Sequence, residues 1–332
     1  MRRILLLQLK RIGDAVLTAP ALAALRAALP DAHLTLALAA AAPLGPLFRD
    51  ADKILTWTPG RPNPGFWKHL LLRGTDVVLD FTGNDRSAML ALASRAPVRA
   101  GYEKFTENSL RRLAWNRRCD AQVREFHTVD FHQTLLTAAG LKVPALPDFG
   151  HLKLPEGIPA PPHLPEHYAL VHPGTAREEK FWPPERWAAL LDHLYEVHGL
   201  PLVLTGGTWE FELQHIQSIF RLTKAPVRDL SGRITLPQLA AVIARARVAV
   251  TVDTGAMHLA AAFKVPQIGL FGPTNAFHWA PRHPLARVLR AGYENDPPEP
   301  LLSRQTGHPM TELSVETVLS TVDRLLMDTA TS

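Results

Sequence analysis

Short apolar runs, each closed off by turn residues, alternate with helix-forming stretches twice along this chain, once on either side of a proline-rich interval. In the first half the runs cover residues 4–9, 34–39, 53–57, 76–81 and 97–101. They are apolar at consecutive rather than alternate positions, as a strand must be when helices cover both of its faces. Between the first two runs, Leu22, Leu25 and Leu29 keep a helical spacing that stops at Pro30-Asp31, so the order is strand, helix, strand. Further helices are expected over 88–93 and over 129–139, the latter ending at Gly140. This is the pattern of an α/β fold with a doubly wound parallel sheet.

From 143 to 165 the chain carries Pro144, Pro147, Pro155, Pro159, Pro161, Pro162 and Pro165, which suits neither a long helix nor a central strand. The alternation then restarts, with strands expected over 168–172, 202–205, 248–252 and 267–271, and helices over 184–198, 209–220, 236–245 and 255–263. A last amphipathic helix, 314–327, places Val315, Val318, Val322, Leu325 and Leu326 on one face and is expected to pack back onto one of the sheets. The 332 residues therefore divide into a first domain at 1–150, a second at 166–310 and a closing helix at 311–332. Two such sheets leave a cleft between them, and ligands favour the loops that follow the strands.

Composition narrows the class. Hydrophobic residues make up 46% and charged residues 20%, which excludes a disordered chain. Cys119 has no partner thiol and no metal-ligand spacing around it, which points to a reducing compartment and a cytoplasmic protein. The apolar start after Arg2-Arg3 ends at Gln8 and reads as a strand rather than a signal peptide, and Arg26, Asp31 and His33 break the alanine-rich stretch that follows. No membrane span is expected. Charge is uneven: the first 150 residues hold 20 Lys and Arg against 13 Asp and Glu, the remainder 16 against 18. Arg111, Arg112, Arg117 and Arg118 gather around Leu113 and Trp115, a pattern open to an acidic ligand, an anionic membrane surface or a solvated helix. No nucleic-acid motif accompanies them.

Four strand-exit loops carry chemistry. In Thr251-Val252-Asp253-Thr254-Gly255-Ala256-Met257-His258 an apolar strand runs into a helix whose first N–H groups can bind phosphate oxygens. The helix dipole adds roughly 0.3 to 1 kcal/mol. Asp253 suits sugar hydroxyls or a helix cap, which Thr254 can equally supply, and His258 suits a phosphate oxygen or a backbone hydrogen bond. The loop from His172 to Lys180 sets Thr175 and Lys180 near the same sheet edge, with Lys180 open to a phosphate or to ion pairs with Glu178 and Glu179. Thr205-Gly206-Gly207-Thr208 permits close backbone approach, with Glu210 available for a ribose diol. In the first half, Lys10-Arg11-Ile12-Gly13-Asp14 offers either a helix cap or a general base at Asp14, with Gly13 giving a substrate room and Lys10 and Arg11 facing an acidic group on it. Phosphate-loop, GxGxxG, HExxH, GxSxG and Cys/His metal patterns are all missing from the sequence. Asp50-Ala51-Asp52 matches the short DxD pattern of metal-dependent sugar transferases but precedes a strand instead of following one.

Taken together, Arg11-Ile12-Gly13-Asp14, Pro173-Gly174-Thr175 with Lys180-Phe181-Trp182-Pro183, and the run from Asp253 to Ala262 through Leu270-Phe271-Gly272-Pro273-Thr274 resemble family 9 glycosyltransferases, the ADP-heptose:lipopolysaccharide heptosyltransferases. The resemblance implies a GT-B fold, two Rossmann-like domains facing a central cleft, with acceptor held mainly by the first and nucleotide-sugar by the second. It implies inverting transfer of heptose from ADP-heptose to a lipopolysaccharide core or related glycan, with no cofactor and no metal. Asp14 then falls on the general base, Thr175 and Lys180 on donor-phosphate positions, Glu210 on the ribose position and Ile234 beside adenine. Asp253 falls on the heptose hydroxyls, and Thr254, Gly255, Met257 and His258 around the diphosphate. The implied partners are the ADP-sugar, a lipopolysaccharide inner-core acceptor and, peripherally, the cytoplasmic face of the inner membrane. Two departures bear on the acceptor: residues 301–310 hold no cysteine where many relatives have them, and Ala256 precedes Met257 where proline or leucine is commoner. A nucleotide-sugar epimerase and a sugar-nucleotide-binding protein without transfer activity are the rival expectations.

Overall fold

The computed structural model describes residues 2–105, 109–145, 147, 149–159, 161–293 and 307–330; most of the cysteine-free stretch 301–310 lies outside them. The chain forms two compact units, Met1–Pro155 and Glu156–Ser332, and the division falls inside the proline-rich interval.

The first unit contains β1 (Arg3–Gln8), α1 (Ile12–Val16), α2 (Ala19–Ala28), β2 (His33–Ala39), β3 (Lys53–Trp57), α3 (Pro64–Leu72), β4 (Val77–Asp80), α4 (Asp85–Ala93), β5 (Val98–Tyr102), α5 (Ser109–Ala114), β6 (Arg117–Cys119) and α6 (Thr128–Ala138). Its strands pair in the order β3-β2-β1-β4-β5-β6, every ladder parallel. The order reverses between β1 and β4, which places the loops after these two strands at the switch point where such sheets take ligands. Leu5 and Leu7 of β1, Val78 of β4, and Leu90 and Ala91 of α4 join Phe66, Leu70 and Trp115 in one buried cluster.

The second unit repeats the plan with β7 (Ala169–His172), α7 (Pro184–Glu196), β8 (Leu202–Leu204), α8 (Glu210–Leu222), β9 (Val227–Asp229), α9 (Leu236–Ile243), β10 (Val248–Val252), α10 (Gly255–Ala262), β11 (Gln267–Phe271), α11 (Ala276–Trp279), β12 (Ala286–Arg290) and α12 (Val315–Ala330). The order is β12-β11-β10-β7-β8-β9, again all parallel. Here the switch lies between β7 and β10, the strands that deliver the Lys180 and Asp253 loops.

The closing helix packs onto the second unit. Val318, Val322, Leu325 and Leu326 of α12 enter the same core as Leu190 and Leu194 of α7. The approach to α12 is pinned by the Trp182 indole, which donates to the Leu313 carbonyl at 2.9 Å, and by Arg186, which donates to Thr311 O at 2.8 Å. No helix among the described residues is long and apolar enough to cross a membrane.

Three strands fall outside the sequence reading: β6, β9 and β12, each at an edge of its sheet. Their sequences, RRC, VRD and ARVLR, contain arginines because an outer strand is covered less completely than a central one. The basic stretch 111–118 is accordingly the end of α5 followed by β6, not one solvated helix. Helices α3 and α11 were also not expected, and the first helical segment breaks into α1 and α2, with Pro20 in the first turn of the second.

Candidate functional site

In the second unit the chemistry gathers at the switch point. β10 is buried throughout and delivers Asp253, itself only 8% exposed, to the start of α10. The helix is built from small residues and seats close to β11: Met257 is fully buried, and a Cβ on Gly269 would stand 2.9 Å from its sulfur. Thr254 occupies the N-cap with an extended backbone, yet its hydroxyl makes no capping hydrogen bond, and its Oγ1 is buried without a partner among the described residues. Asp253 does not cap the helix either. The first N–H groups of α10, at Gly255, Ala256 and Met257, therefore keep their capacity to bind an anion. His258 follows one residue on and is buried.

Asp253 is held instead by Lys180, whose Nζ donates to Asp253 Oδ2 at 2.7 Å and to the Asp253 carbonyl at 3.2 Å. Both side chains are largely buried, 13% and 8% exposed. The neighbouring Glu179 is taken by Arg177, which leaves Lys180 to the β10 loop. Of the three N–H bonds of the ammonium, two go to Asp253 and one remains for a ligand oxygen. The loop is anchored just beyond Lys180: Phe181 stacks on His215 of α8 with centroids 4.1 Å apart, and Trp182 is fully buried. His172, at the end of β7, meets the Thr205 hydroxyl at 2.8 Å and ties that strand exit to the next. Burial drives its imidazole down to about 4, so it is neutral at pH 7.

Two carboxylates at the start of α8 face opposite ways. Glu210 lies exposed at the start of α8 and accepts from Gln214. Glu212 instead turns inward, 3% exposed, its Oε1 accepting from the Gly207 N–H at 2.6 Å. Burial pushes its carboxyl above the usual range, with the Gly207 bond opposing. A Cβ on Gly174 would stand 1.8 Å from Glu212 Oε1, and one on Gly207 2.5 Å from Oε2, so the glycines of two strand-exit loops make room for this carboxylate. Thr175 is buried next to Gly174. The Ser231 hydroxyl, buried and without a partner among the described residues, stands beside the same glycine edge, 3.3 Å from a Cβ on Gly206. Ile234 follows it, half-buried, in the bend before α9. Glu212 and Ser231 were both missed in the sequence. For Glu212 the signal existed, because Glu212, Ile216 and Ile219 share the buried face of α8.

In the first unit, Arg11 holds the N-cap of α1 and Asp14 sits in the first turn, half-buried. Its carboxylate has no hydrogen bond or ion pair among the described residues, so Asp14 is not the cap. Its backbone is fixed firmly: Thr18 Oγ1 donates to the Asp14 carbonyl at 2.9 Å and in turn accepts from Gln8 at 3.0 Å. Gly13 is half-buried, Arg11 exposed, and the Lys10 charge acts on Asp80. Asp80, fully buried at the end of β4, accepts from Thr82 N at 2.9 Å, Gly83 N at 3.0 Å and the Trp115 indole at 3.2 Å. Burial pushes its carboxyl up to about 6 despite these bonds.

Two other expectations resolve structurally. Asp52 of the DxD match accepts from Arg26 at 2.7 Å and from Leu34 N at 2.7 Å, tying β2 to α2. Around the basic patch, Arg111 pairs with Asp85 at 2.7 Å, while Leu113 is 70% exposed. A cavity of about 360 Å³ lined by Arg3, His33, Lys53, His69 and Arg73 lies at the amino-terminal ends of β1 to β3, away from the strand-exit loops.

The sequence profile described as "Glycosyltransferase family 9 (heptosyltransferase)" matches residues 65–305. This chain belongs to glycosyltransferase family 9. Among family members, lipopolysaccharide heptosyltransferase 3 of Escherichia coli is 28% identical over 168 residues, 50% of this chain and 49% of that protein. The chain thus matches about half the length of that relative. Lipopolysaccharide heptosyltransferase 1 of Salmonella typhimurium strain LT2 is 26% identical over 82% of this chain and 89% of its own length. The solved structure of E. coli ADP-heptose lps heptosyltransferase II superposes with a TM-score of 0.78 at 21% identity, covering 99% of this chain and all of that one. The fold is that of the family, GT-B, with two parallel six-stranded sheets.

Proposed function

We propose that this family 9 chain is an inverting heptosyltransferase that moves heptose from ADP-heptose to a lipopolysaccharide-core or related surface-glycan acceptor without a metal ion. The observation that carries the reading is the Lys180–Asp253 pair beside the uncapped start of α10. A diphosphate placed there accepts from the N–H groups of Gly255, Ala256 and Met257 and from the third N–H of Lys180. Thr175, Thr254 and His258 border it. Glu212 takes the ribose hydroxyls in place of Glu210, with Ile234 beside the base, and Asp253 takes heptose hydroxyls. The names of the relatives support the donor and acceptor class.

In the reaction the acceptor oxygen attacks the anomeric carbon while Asp14 accepts the hydroxyl proton. The bond from that carbon to the diphosphate oxygen breaks, and ADP departs with the electron pair. Charge develops on the diphosphate as it leaves, so fixed N–H donors and the Lys180 ammonium stabilise the transition state more than the bound donor. That is the work a metal ion does in other transferases. Asp14, without a side-chain partner among the described residues and set on a fixed turn of helix, is suited to take a proton. The net positive first unit matches an acidic acceptor, with Lys10 and Arg11 beside Gly13 as its nearest cations.

Calorimetric titration with ADP-heptose, ADP-glucose, UDP-GlcNAc and GDP-mannose, with and without magnesium, tests the donor half. The reading expects binding selective for ADP-heptose and indifferent to magnesium. Preference for a UDP or GDP sugar would leave the fold intact and remove the function.

A further inference from the structure

At the other end of the second sheet from the donor loops, three side chains from separate turns converge. His193 lies in the last full turn of α7, His198 in the turn that leads to β8, and Asp323 midway along α12. Because α7 leaves the Lys180 loop and runs back along the strands for 13 residues, about 20 Å, its far end stands well away from the donor-binding groups. Both imidazole Nε2 atoms lie 2.7 Å from one oxygen, Asp323 Oδ1. The three atoms fall within 4.8 Å of one another. The two rings stand nearly perpendicular, at 70°, with centroids 5.4 Å apart. The histidines are about 20% exposed, close enough to solvent for an ion to enter and keep a water ligand.

We propose that His193, His198 and Asp323 form a binding site for a divalent transition-metal ion of the zinc type, which cross-links α12 to α7. Two imidazoles and one carboxylate are a borderline-soft donor set with one position left for water, suited to zinc or cobalt and poor in the oxygens that calcium or magnesium require. Metal–nitrogen bonds of about 2.0 Å in tetrahedral geometry need donor atoms about 3.3 Å apart. Each imidazole–carboxylate distance therefore has to open by roughly 0.6 Å from its hydrogen-bonded spacing, a movement within reach of partly exposed side chains. Each imidazole then moves its proton from Nε2 to Nδ1, or loses it from an imidazolium, and presents the Nε2 lone pair. The other ring nitrogens have no partner among the described residues, so this change of tautomer breaks no existing bond there. The helix so fastened contributes Val318, Val322, Leu325 and Leu326 to the core, which makes the ion a structural staple of this unit, not a participant in transfer. The proposal does not rest on the transferase reading.

The test is titration of the chelator-treated full chain with cobalt(II), followed by visible absorption, and then displacement by zinc. One cobalt per chain with the intense absorption of a four-coordinate site is expected, together with a higher melting temperature in zinc. Both effects should vanish in His198→Ala and in Asp323→Asn, with circular dichroism and donor binding reporting that each variant is folded. His193→Gln serves if Asp323→Asn fails to fold. Absence of a stoichiometric band, or a band that survives in the folded variants, would overturn the site and leave a triad joined by hydrogen bonds alone. Donor binding is expected to be indifferent to the chelator, so failure here and failure of the transferase reading register separately.

Discussion

Lys180 pairs with Asp253 and, on the proposed reading, also holds the donor, and a single and a double substitution together separate the two roles. Its ammonium faces a carboxylate buried at the end of β10, and its third N–H is proposed to go to the donor. Lys180→Met retains the stem and removes the charge, leaving Asp253 without its cation, so urea unfolding should show a loss of about 3 kcal/mol. Lys180→Met with Asp253→Asn removes the stranded charge as well. The double variant should recover most of the stability while its donor affinity stays low, because the ligand-facing N–H is still missing. Recovery of both would mean that Lys180 only balances Asp253. At Asp14 the expectation is kinetic: Asp14→Ala should lower turnover by roughly 10² to 10⁴ while calorimetry finds donor affinity unchanged. Normal turnover would reduce Asp14 to an ordinary first-turn residue of α1. Gly174→Ala probes the nucleoside end, since its new Cβ would meet Glu212 Oε1 at 1.8 Å and push that carboxylate off the Gly207 N–H. Weaker binding of ADP itself is the expected result.

The start of α10 departs from the usual capping rule. Thr254 stands where a threonine normally caps, and Thr→Ala at a working cap costs about 1 kcal/mol. Here the hydroxyl makes no capping hydrogen bond and is buried without a partner among the described residues. Thr254→Ala should therefore leave the denaturation midpoint nearly unchanged while weakening donor binding; a clear loss of stability would show that the hydroxyl does cap. The same contrast marks what could be read in the chain beforehand. Central strands such as β1, β7 and β10 announce themselves because both faces are covered and nearly every inner position is apolar. The edge strands β6, β9 and β12 do not, since arginines interrupt their short apolar runs. Asp253, Thr254 and Lys180 were legible as strand-exit residues, yet their pairing was not, because it joins residues 73 apart through a switch point. Glu210 was legible at the strand exit, whereas the burial of Glu212 follows only from the helix: position 212 is in register with Ile216 and Ile219, and its inward carboxylate meets the glycines. The His193, His198 and Asp323 cluster has no linear spacing to read, since its third member arrives from α12.

Across the whole molecule, acid should unfold this chain readily. Burial lowers His132 to about 3 and His172, His215 and His283 to about 4, against 6.5 for an exposed imidazole. Between about pH 4 and 6.5 the unfolded chain then binds more protons than the folded one, so stability is present above that window and is lost as pH falls through it. Asp80 runs the other way: raised from 3.8 to about 6, it holds a proton in the folded state that the unfolded chain has released, and favours folding as pH drops from about 6 to 4. Several histidines oppose two raised carboxyls, Asp80 and Glu212, and the urea midpoint should fall between pH 7 and pH 5; a flat profile would mean that these imidazoles are solvated. The central claim concerns catalysis, and the most direct measurement combines the chain, ADP-heptose and a heptose-deficient lipopolysaccharide core in EDTA. Mass spectrometry would follow the acceptor while ADP release is timed. The account predicts that the acceptor gains one heptose with inverted anomeric configuration, that ADP appears only when acceptor is present, and that Asp14→Ala slows both by roughly 10² to 10⁴. Conversion of the donor without acceptor, or transfer from a different nucleotide sugar alone, would contradict it.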